Sequence, residues 1–252
     1  MGKNTGNRGA GRSDRRDAAR GKASTMEYKD VIKTLKSMGN PDNVAGMARF
    51  GINSANILGI SMPELRKLGK SIGKDHELAL KLFDSGIHEA RILATLVADP
   101  AEFTEEQAES WVVELDSWDV CDQFCMGLMW LTPYAYDKCY QWSERDEEFV
   151  KRAGFALMAK LAWSDKKATD QAIASFLPVI EREATDERNF VKKAVNWALR
   201  QIGKRNLALN AKAIETSRRL AASDSRSAKW IASDALRELE SEAVRERLRR
   251  GL

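Results

Sequence analysis

The sequence predicts an all-α protein in which helical repeats stack into a curved solenoid with a concave face. Apolar residues recur at the three- and four-residue spacing of amphipathic helices from Tyr28 onward. Basic side chains recur near the starts of these apolar segments at intervals of about 40 residues, which is the period of paired-helix repeats of the HEAT kind. No segment shows the alternating pattern or the Asn-Gly turn of a β-hairpin.

Three apolar stripes and the residues that interrupt them predict individual helices. The stripes are Val31, Leu35 and Met38; Trp111, Leu115 and Trp118; and Phe155, Met158, Ala159 and Ala162. Turn-forming residues stand between segments at Gly39-Asn40-Pro41-Asp42, Asp99-Pro100 and Thr132-Pro133. Thr104 and Gln107 match a capping box, so we expect a helix to begin there.

Length and composition predict a tail followed by one folded domain. The 252 residues suffice for a substantial core. Residues 1–25 contain no large apolar residue after Met1, so we expect them to form a disordered basic tail. Residues 26–252 are expected to form a single HEAT-like helical-repeat domain.

The net charge of +4 is distributed unevenly along the chain. Residues 1–25 hold seven basic and two acidic residues, and residues 181–252 hold seventeen basic and eleven acidic residues. Residues 26–180 hold seventeen basic and twenty-four acidic residues. The positive charge of the tail and of the C-terminal part predicts a polyanionic partner at those parts of the chain.

Four basic residues are expected to hold the same place in different repeats. They are Arg91, Arg152, Lys193 and Lys229, and Lys192 stands beside the third of them. Lys193 follows Arg152 by 41 residues, and Lys229 follows Lys193 by 36. We expect these cations to line the concave face and to bind phosphates. Cations near a helix start are also common on ordinary solvated surfaces, and the middle repeat carries Asp122 at this place instead.

A carboxylate and two indoles are expected to meet in the middle of the concave face. Trp118 and Asp122 are four residues apart, as are Lys193 and Trp197, so each pair shares one face of its helix. Indole faces and a carboxylate favour a cation, and a purine alkylated on a ring nitrogen is one. Such a base leaves without protonation, and a carboxylate stabilises the oxocarbenium-like transition state and places a water. Arg152 would bind a phosphate nearby.

Each member of this site also has a plainer interpretation. A single Trp in a helical repeat is more often part of the core than of a binding site. Asp122 alone would serve as an ordinary salt-bridge partner, for instance of Arg152. The other tryptophans are expected to be core residues or partly buried, namely Trp111, Trp130, Trp142, Trp163 and Trp230.

Other features argue against several classes of protein. Three cysteines without a secretion signal predict free thiols, and no His lies near enough in sequence to Cys121 and Cys125 to predict a metal site. His76 and His88 are expected to be surface or capping residues. No apolar run reaches the length of a membrane span. We expect a cytoplasmic, nucleoid-associated protein that needs no cofactor, because a cationic base needs none to leave.

Short motifs between about Met26 and Leu239 connect the chain to a known family. They are Phe50-Gly51-Ile52, Leu58-Gly59-Ile60, Pro63-Glu64-Leu65-Arg66, His88-Glu89-Ala90-Arg91, Trp118-Asp119-Val120-Cys121-Asp122, Lys151-Arg152-Ala153, Lys192-Lys193-Ala194 and Trp197-Ala198-Leu199-Arg200. In these motifs the chain resembles the AlkD-type DNA alkylation repair family of HEAT-like DNA glycosylases. The tail lies outside the resemblance.

The resemblance implies a function and a set of site residues. The function is excision of positively charged N3- or N7-alkylated purines from duplex DNA, in the concave groove and without flipping the base. Trp118 and Trp197 match the cleft tryptophans, Asp122 the catalytic carboxylate and Arg152 the phosphate-contacting arginine. The DNA-binding roles expected for Lys192, Lys193 and Lys229 come from periodicity alone. The sequence thus predicts a monomeric, monofunctional alkylpurine DNA glycosylase that acts on double-stranded DNA.

Two other functions fit the same sequence. A noncatalytic protein that binds branched or damaged DNA would keep the groove without the chemistry, and the family includes members of this kind. A protein–protein scaffold is the usual role of many helical solenoids, although the basic C-terminal part argues mildly against it. Base release from methylated DNA separates the first function from the other two.

Overall fold

The computed structural model describes residues 26–52 and 56–251, so the tail predicted for residues 1–25 lies outside the described residues. The described residues form α1 Tyr28–Ser37, α2 Pro41–Met47, α3 Met62–Ile72, α4 His76–Asp84, α5 His88–Val97, α6 Glu105–Val113, α7 Trp118–Gly127, α8 Ala135–Ser143, α9 Glu148–Ser164, α10 Asp170–Ala174, α11 Leu177–Glu183, α12 Asn189–Gly203, α13 Leu207–Ala221, α14 Arg226–Leu239 and α15 Glu242–Arg250. Two 3₁₀ helices span Ala48–Phe50 and Met129–Leu131. No strand occurs in these ranges, and the all-α prediction is confirmed.

The helices stack in two rows. The inner row consists of α3, α5, α7, α9, α12 and α14, each of which packs against the next. From the outer row, α4 packs on α5, α8 on α9, and α13 on both α12 and α14. Each repeat therefore buries its apolar surface mainly against its neighbours, as the predicted solenoid requires.

One continuous core runs through the stack from Val31 to Leu239. The predicted stripe on α9 is fully inside, because this helix has α7, α8 and α12 around it. The stripe of Trp111, Leu115 and Trp118 was expected to lie on one helix, but α6 ends at Val113 and α7 begins at Trp118. Trp111 and Leu115 are buried, while Trp118 is only half-buried. That partial exposure places the Trp118 indole at the edge of the core, where a ligand has access to it.

Side-chain caps fix where several helices begin. The Thr104 hydroxyl accepts from the Gln107 backbone N–H at 3.2 Å, and the Gln107 amide accepts from the Thr104 backbone N–H at 2.9 Å. The predicted capping box is therefore present. Asn40 caps α2 in the same manner by accepting from Asp42 and Asn43, and Pro41 occupies the first helical position.

A buried carboxylate ties the loop before α3 to the start of α5. Glu89 has no exposed surface and accepts backbone N–H groups from Leu58, Gly59 and Ile60 at 2.8, 2.6 and 3.3 Å. Gly59 has φ of 81°, and a Cβ there would lie 2.2 Å from the Asn40 carbonyl oxygen, so only glycine fits. No local pattern in the sequence indicates this bond network.

No helix in the described ranges combines the length and the apolar character that a bilayer crossing requires.

Candidate active site

A cleft of about 340 Å³ opens on the concave face near the N-terminal ends of α7, α9 and α12. Its lining residues are Phe50, Trp118, Asp122, Arg152, Phe190, Lys193 and Trp197. Four of them are the residues that the sequence predicted to meet, namely Trp118, Asp122, Arg152 and Trp197, and a fifth, Lys193, was predicted to bind DNA. The structure brings these side chains together, while their roles toward DNA remain predictions.

Equal positions in neighbouring helices explain why these residues meet. Asp122, Arg152 and Lys193 are each the fifth residue of helices that begin at Trp118, Glu148 and Asn189. Because α7, α9 and α12 lie side by side, the fifth residues form a row across the concave face. Trp118 and Trp197 stand one turn from two members of this row, on the same helix faces.

Asp122 and Arg152 form a two-pronged ion pair at the floor of the cleft. Arg152 Nε donates to Asp122 Oδ1 at 3.0 Å, and Nη2 donates to Oδ2 at 2.8 Å. Nη1 donates to the Phe190 carbonyl oxygen at 2.8 Å, and Arg152 is only 6% exposed. Arg152 thus acts first as the counter-ion of Asp122, and only two of the five N–H donors of its guanidinium are left for a phosphate.

Burial and charge act in opposite directions on this pair. Burial raises the pKa of Asp122 above its ordinary value, against the attraction of Arg152. Burial lowers the pKa of Arg152, but Asp122 outweighs it and the net direction is upward. The raised pKa of Asp122 favours a protonated acid, whereas the raised pKa of Arg152 favours an ionised pair. We take the pair as ionised, because both carboxylate oxygens accept hydrogen bonds from a guanidinium that is always charged.

Two phenylalanines complete the cleft, and the sequence did not assign them to it. Phe50 is 70% exposed, and its carbonyl oxygen accepts the Trp118 Nε1–H at 3.0 Å. The neighbouring Gly51 has φ of 78°, and a Cβ there would lie 2.8 Å from the ring of Phe190. The Phe50–Gly51 segment therefore reaches α12 across the concave face. For Phe50, the available signal was its place at the start of the Phe50-Gly51-Ile52 motif.

The first turn of α7 is held by a buried pair that corrects one prediction. His88 was expected at the surface or as a cap, but it is 1% exposed, and its Nε2 lies 2.8 Å from Asp119 Oδ2. Burial lowers the pKa of His88, yet the bond to Asp119 and nearby acids raise it overall. Asp119 adjoins Trp118, so this pair positions the indole that lines the cleft.

Replacing His88 with Gln is expected to destabilise the protein by about 2 kcal/mol near pH 6, because a buried charge-assisted hydrogen bond is lost. The folded pKa of His88 is raised, so this contribution is present below its unfolded pKa and is lost as the pH rises through the folded value. Urea unfolding of both proteins near pH 6 and near pH 9 measures the difference. His76→Gln is the control, because His76 bonds the uncharged Gln107. Equal losses at both pH values would contradict the prediction.

The cations expected on the concave face differ in whether they pair with acidic residues of the protein. Lys193 and Lys229 are exposed and make no ion pair with any described residue, while Lys192 lies with its Nζ 5.1 Å from the Trp230 ring centre. Arg91, by contrast, pairs with Glu114 and Asp116. Phosphate contacts by Lys192, Lys193 and Lys229 stay predictions.

The positive charge of the C-terminal part is less available than its composition indicates. Arg200 and Lys204 both pair with Glu238, at 2.9 and 2.7 Å. Arg219 pairs with Glu181 at 3.0 Å. Beside the cleft, the cations that make no ion pair with a described residue lie in the first turns of α12 and α14.

A neighbouring cavity of about 360 Å³ adjoins the cleft on the side of α2 and α5. Phe50 lines both cavities. The ionisable residues that line the neighbouring cavity are His88 and three acids, namely Asp42, Glu89 and Asp119, and neither Lys nor Arg is among them. This cavity therefore disfavours a polyanion, whereas the exposed Lys193 and Lys229 on the α12 and α14 side of the cleft favour one.

Cys121, Cys125 and Cys139 are free, as the sequence predicted, and all three are buried. Within residues 26–52 and 56–251, no group of three or more His, Cys, Asp or Glu side chains is arranged to hold a metal ion.

The sequence profile of the family described as "DNA alkylation repair enzyme" matches residues 31–239 of this chain. The chain belongs to this family. The match covers the cleft and all the helices of the inner row, and it confirms the family that the sequence motifs indicated.

Two bacterial relatives match part of this DNA alkylation repair family member. "Uncharacterized protein Lmo0209" of Listeria monocytogenes serovar 1/2a is 26% identical over 142 residues, which are 54% of this chain and 62% of that protein. "Uncharacterized protein Lin0241" of Listeria innocua serovar 6a is 23% identical over the same shares. The matched stretch thus spans less than two thirds of either relative.

A solved structure shares the solenoid over most of its length. It is described as "a new family of proteins related to the HEAT-like repeat DNA glycosylases with affinity for branched DNA structures". Its TM-score is 0.70 at 20% identity, over 77% of this chain and 83% of that one. At this identity the likeness concerns the fold, and it confirms the predicted solenoid of HEAT-like repeats.

Proposed function

We propose that this member of the DNA alkylation repair enzyme family is a monofunctional glycosylase that excises N3- or N7-alkylated purines from duplex DNA. The observation that carries the proposal is the cleft, in which one carboxylate lies with two indoles beside exposed cations. A groove that only tracks phosphates has no use for an acid, since the acid would repel them. A base that already bears a positive charge is a ligand for which the acid and the indoles are complementary.

The geometry of Asp122 suits a reaction without a general acid. The bond between the sugar and an alkylated purine breaks as the base leaves with the bonding electrons, which neutralise its charge. Positive charge then develops on the sugar carbon, where a fixed carboxylate stabilises it and orients the attacking water. Arg152 occupies one lone pair on each oxygen of Asp122, and each oxygen keeps a second lone pair for water or sugar.

The surrounding residues support binding of a duplex in the groove. Lys192, Lys193 and Lys229 extend from the cleft along the first turns of α12 and α14 and would contact the backbone. The cleft is open to solvent, which favours a lesion that stays near the helix stack over one turned into a closed pocket. The protein would act as a monomer at the nucleoid.

The experiment is release of 7-methylguanine from methylated duplex DNA by the wild-type protein, measured by chromatography of the free base. Release well above the spontaneous rate of the same DNA is expected, because the cleft supplies charge stabilisation that water lacks. A protein-free sample is the control. Release at the spontaneous rate in the presence of saturating protein would overturn the proposal.

A second candidate function, binding of branched DNA without excision, has one observation in its favour. Arg152 already neutralises Asp122 in the structure. Tight binding of a branched duplex together with no base release would establish this alternative.

A further inference from the structure

A cluster of three side chains lies away from the cleft and has no part in the proposed reaction. The Nζ of Lys160 lies 4.5 Å from the ring centre of Trp130 and 5.0 Å from that of Trp163. Trp163 is 54% exposed, although we expected it to be core or partly buried. No Asp or Glu of the described residues pairs with Lys160, whose pKa is lowered by burial alone. We call Trp130, Lys160 and Trp163 the tryptophan–lysine cluster.

The tryptophan–lysine cluster lies on the same side of α9 as the cleft. Trp163 follows Arg152 by eleven residues within this helix. At 3.6 residues per turn this is about three turns, so the two side chains leave the helix in nearly the same direction. The rise of 1.5 Å per residue separates them by roughly 16 Å. The concave face thus carries two aromatic sites, one near each end of α9.

The surface around the cluster is positive and apolar. Lys166 and Lys167 follow directly after α9 and are exposed. The nearest acid in the sequence, Asp165, accepts from the Tyr136 hydroxyl at 2.9 Å and from the Lys167 backbone N–H at 3.0 Å. Its single negative charge is outnumbered by the charges of Lys160, Lys166 and Lys167. An anionic ligand with flat apolar faces would be complementary to this surface.

We propose that the tryptophan–lysine cluster binds unpaired nucleotides of a DNA strand that leaves the duplex beside the cleft. The proposal rests on the proposed DNA-binding groove and extends it to a second site. Bases in a duplex are stacked on each other and offer an indole only their edges, whereas an unpaired base offers a whole face. Lys160 holds the two rings in place and supplies the charge for the adjacent phosphate.

Trp163→Ala tests the stacking. We expect it to weaken binding of a twelve-nucleotide oligothymidylate at least about 5-fold and to change binding of an intact duplex less than about 2-fold. Fluorescence anisotropy of labelled oligonucleotides measures both. Trp163→Phe keeps an aromatic face and is expected to retain most of the affinity, which separates stacking from an effect on the fold.

Lys160→Met tests the charge while it keeps the length of the side chain between the rings. We expect the slope of log affinity for oligothymidylate against log salt concentration to fall by about 0.7, the amount for one phosphate contact on a single strand. Lys212→Met is the matched control, because Lys212 is exposed on the outer helix α13 and makes no ion pair with a described residue.

Three results would overturn the proposal. The first is a wild-type protein that does not bind oligothymidylate, and the second is a Trp163→Ala variant that binds it as well as wild type. The third is that Trp163→Ala weakens binding of an acidic, leucine-containing peptide but not of oligothymidylate, which would assign the surface to a protein partner. Base release from methylated duplex is measured on the same proteins. If no base is released but oligothymidylate still binds in a Trp163-dependent manner, the glycosylase proposal is rejected and the proposal for the tryptophan–lysine cluster stands.

Discussion

Replacing Asp122 with Asn is expected to lower the single-turnover rate of 7-methylguanine release by at least about 100-fold. The amide carries no charge to set against the positive charge that develops on the sugar. The substitution also removes a negative charge from a groove that binds phosphates, so affinity for the duplex is expected to stay equal or to increase. A large loss of rate with undiminished binding would separate chemistry from binding.

Asp116→Asn is the matched control for this experiment. Asp116 precedes α7, is exposed, and does not line the cleft, so the same chemical change there should leave the rate near that of wild type. Because the Asp122→Asn change leaves the buried Arg152 without its counter-ion, rates are compared well below the unfolding temperature of the variant. An Asp122→Asn protein that releases base at the wild-type rate would reduce Asp122 to a structural partner of Arg152.

Replacing Glu89 with Ala is expected to destabilise the protein by about 3–5 kcal/mol, the largest effect on stability of any change considered. The carboxylate is fully buried and is the acceptor for three backbone N–H groups in the loop at Gly59. Its removal leaves those donors without a partner and leaves a void that the loop cannot fill. Thermal unfolding followed by circular dichroism should show a decrease in Tm on the order of 10 °C.

Glu77→Ala is a closely matched control. Glu77 is the second residue of α4 as Glu89 is the second residue of α5, so both acids face a helix N-terminus. Glu77 is exposed and accepts no hydrogen bond from another described residue. Its replacement should change the free energy of unfolding by less than about 0.5 kcal/mol. Comparable losses in the two variants would show that the loop bonds of Glu89 contribute little.

Periodicity was sufficient to predict the fold, because helical repeats are specified by local patterns. The stripes of α1 and α9 and the capping box at Thr104 correspond to features of the structure, whereas the stripe from Trp111 to Trp118 is divided between α6 and α7. The solenoid follows from them, since each repeat meets mainly its neighbours. Contacts across many residues were not predictable from these patterns, and Glu89 and His88 show the limit. A carboxylate in the first turn of a helix is usually solvated, and nothing local indicates that a loop about thirty residues earlier will cover it.

The candidate site was predictable in its members but not in their pairings. Spacing of four residues placed Trp118 with Asp122, and the repeat register placed Arg152 nearby. Whether Arg152 faces a phosphate or Asp122 depends on the distance between α7 and α9, which no pattern within either helix encodes. The exposed Trp163 was missed for a related reason, because the end of α9 leaves its indole with less covering structure than a core position would have.

Arg152 has a consequence for how the solenoid unfolds. Its guanidinium bonds a side chain of α7 and a backbone carbonyl of α12 from its own place on α9, so it links three successive repeats. Repeat proteins otherwise lose structure unit by unit from their ends, since only nearest neighbours stabilise each other. With this link we expect the three central repeats to unfold as one cooperative unit, whose amide protons exchange together and more slowly than those of α1 or α15.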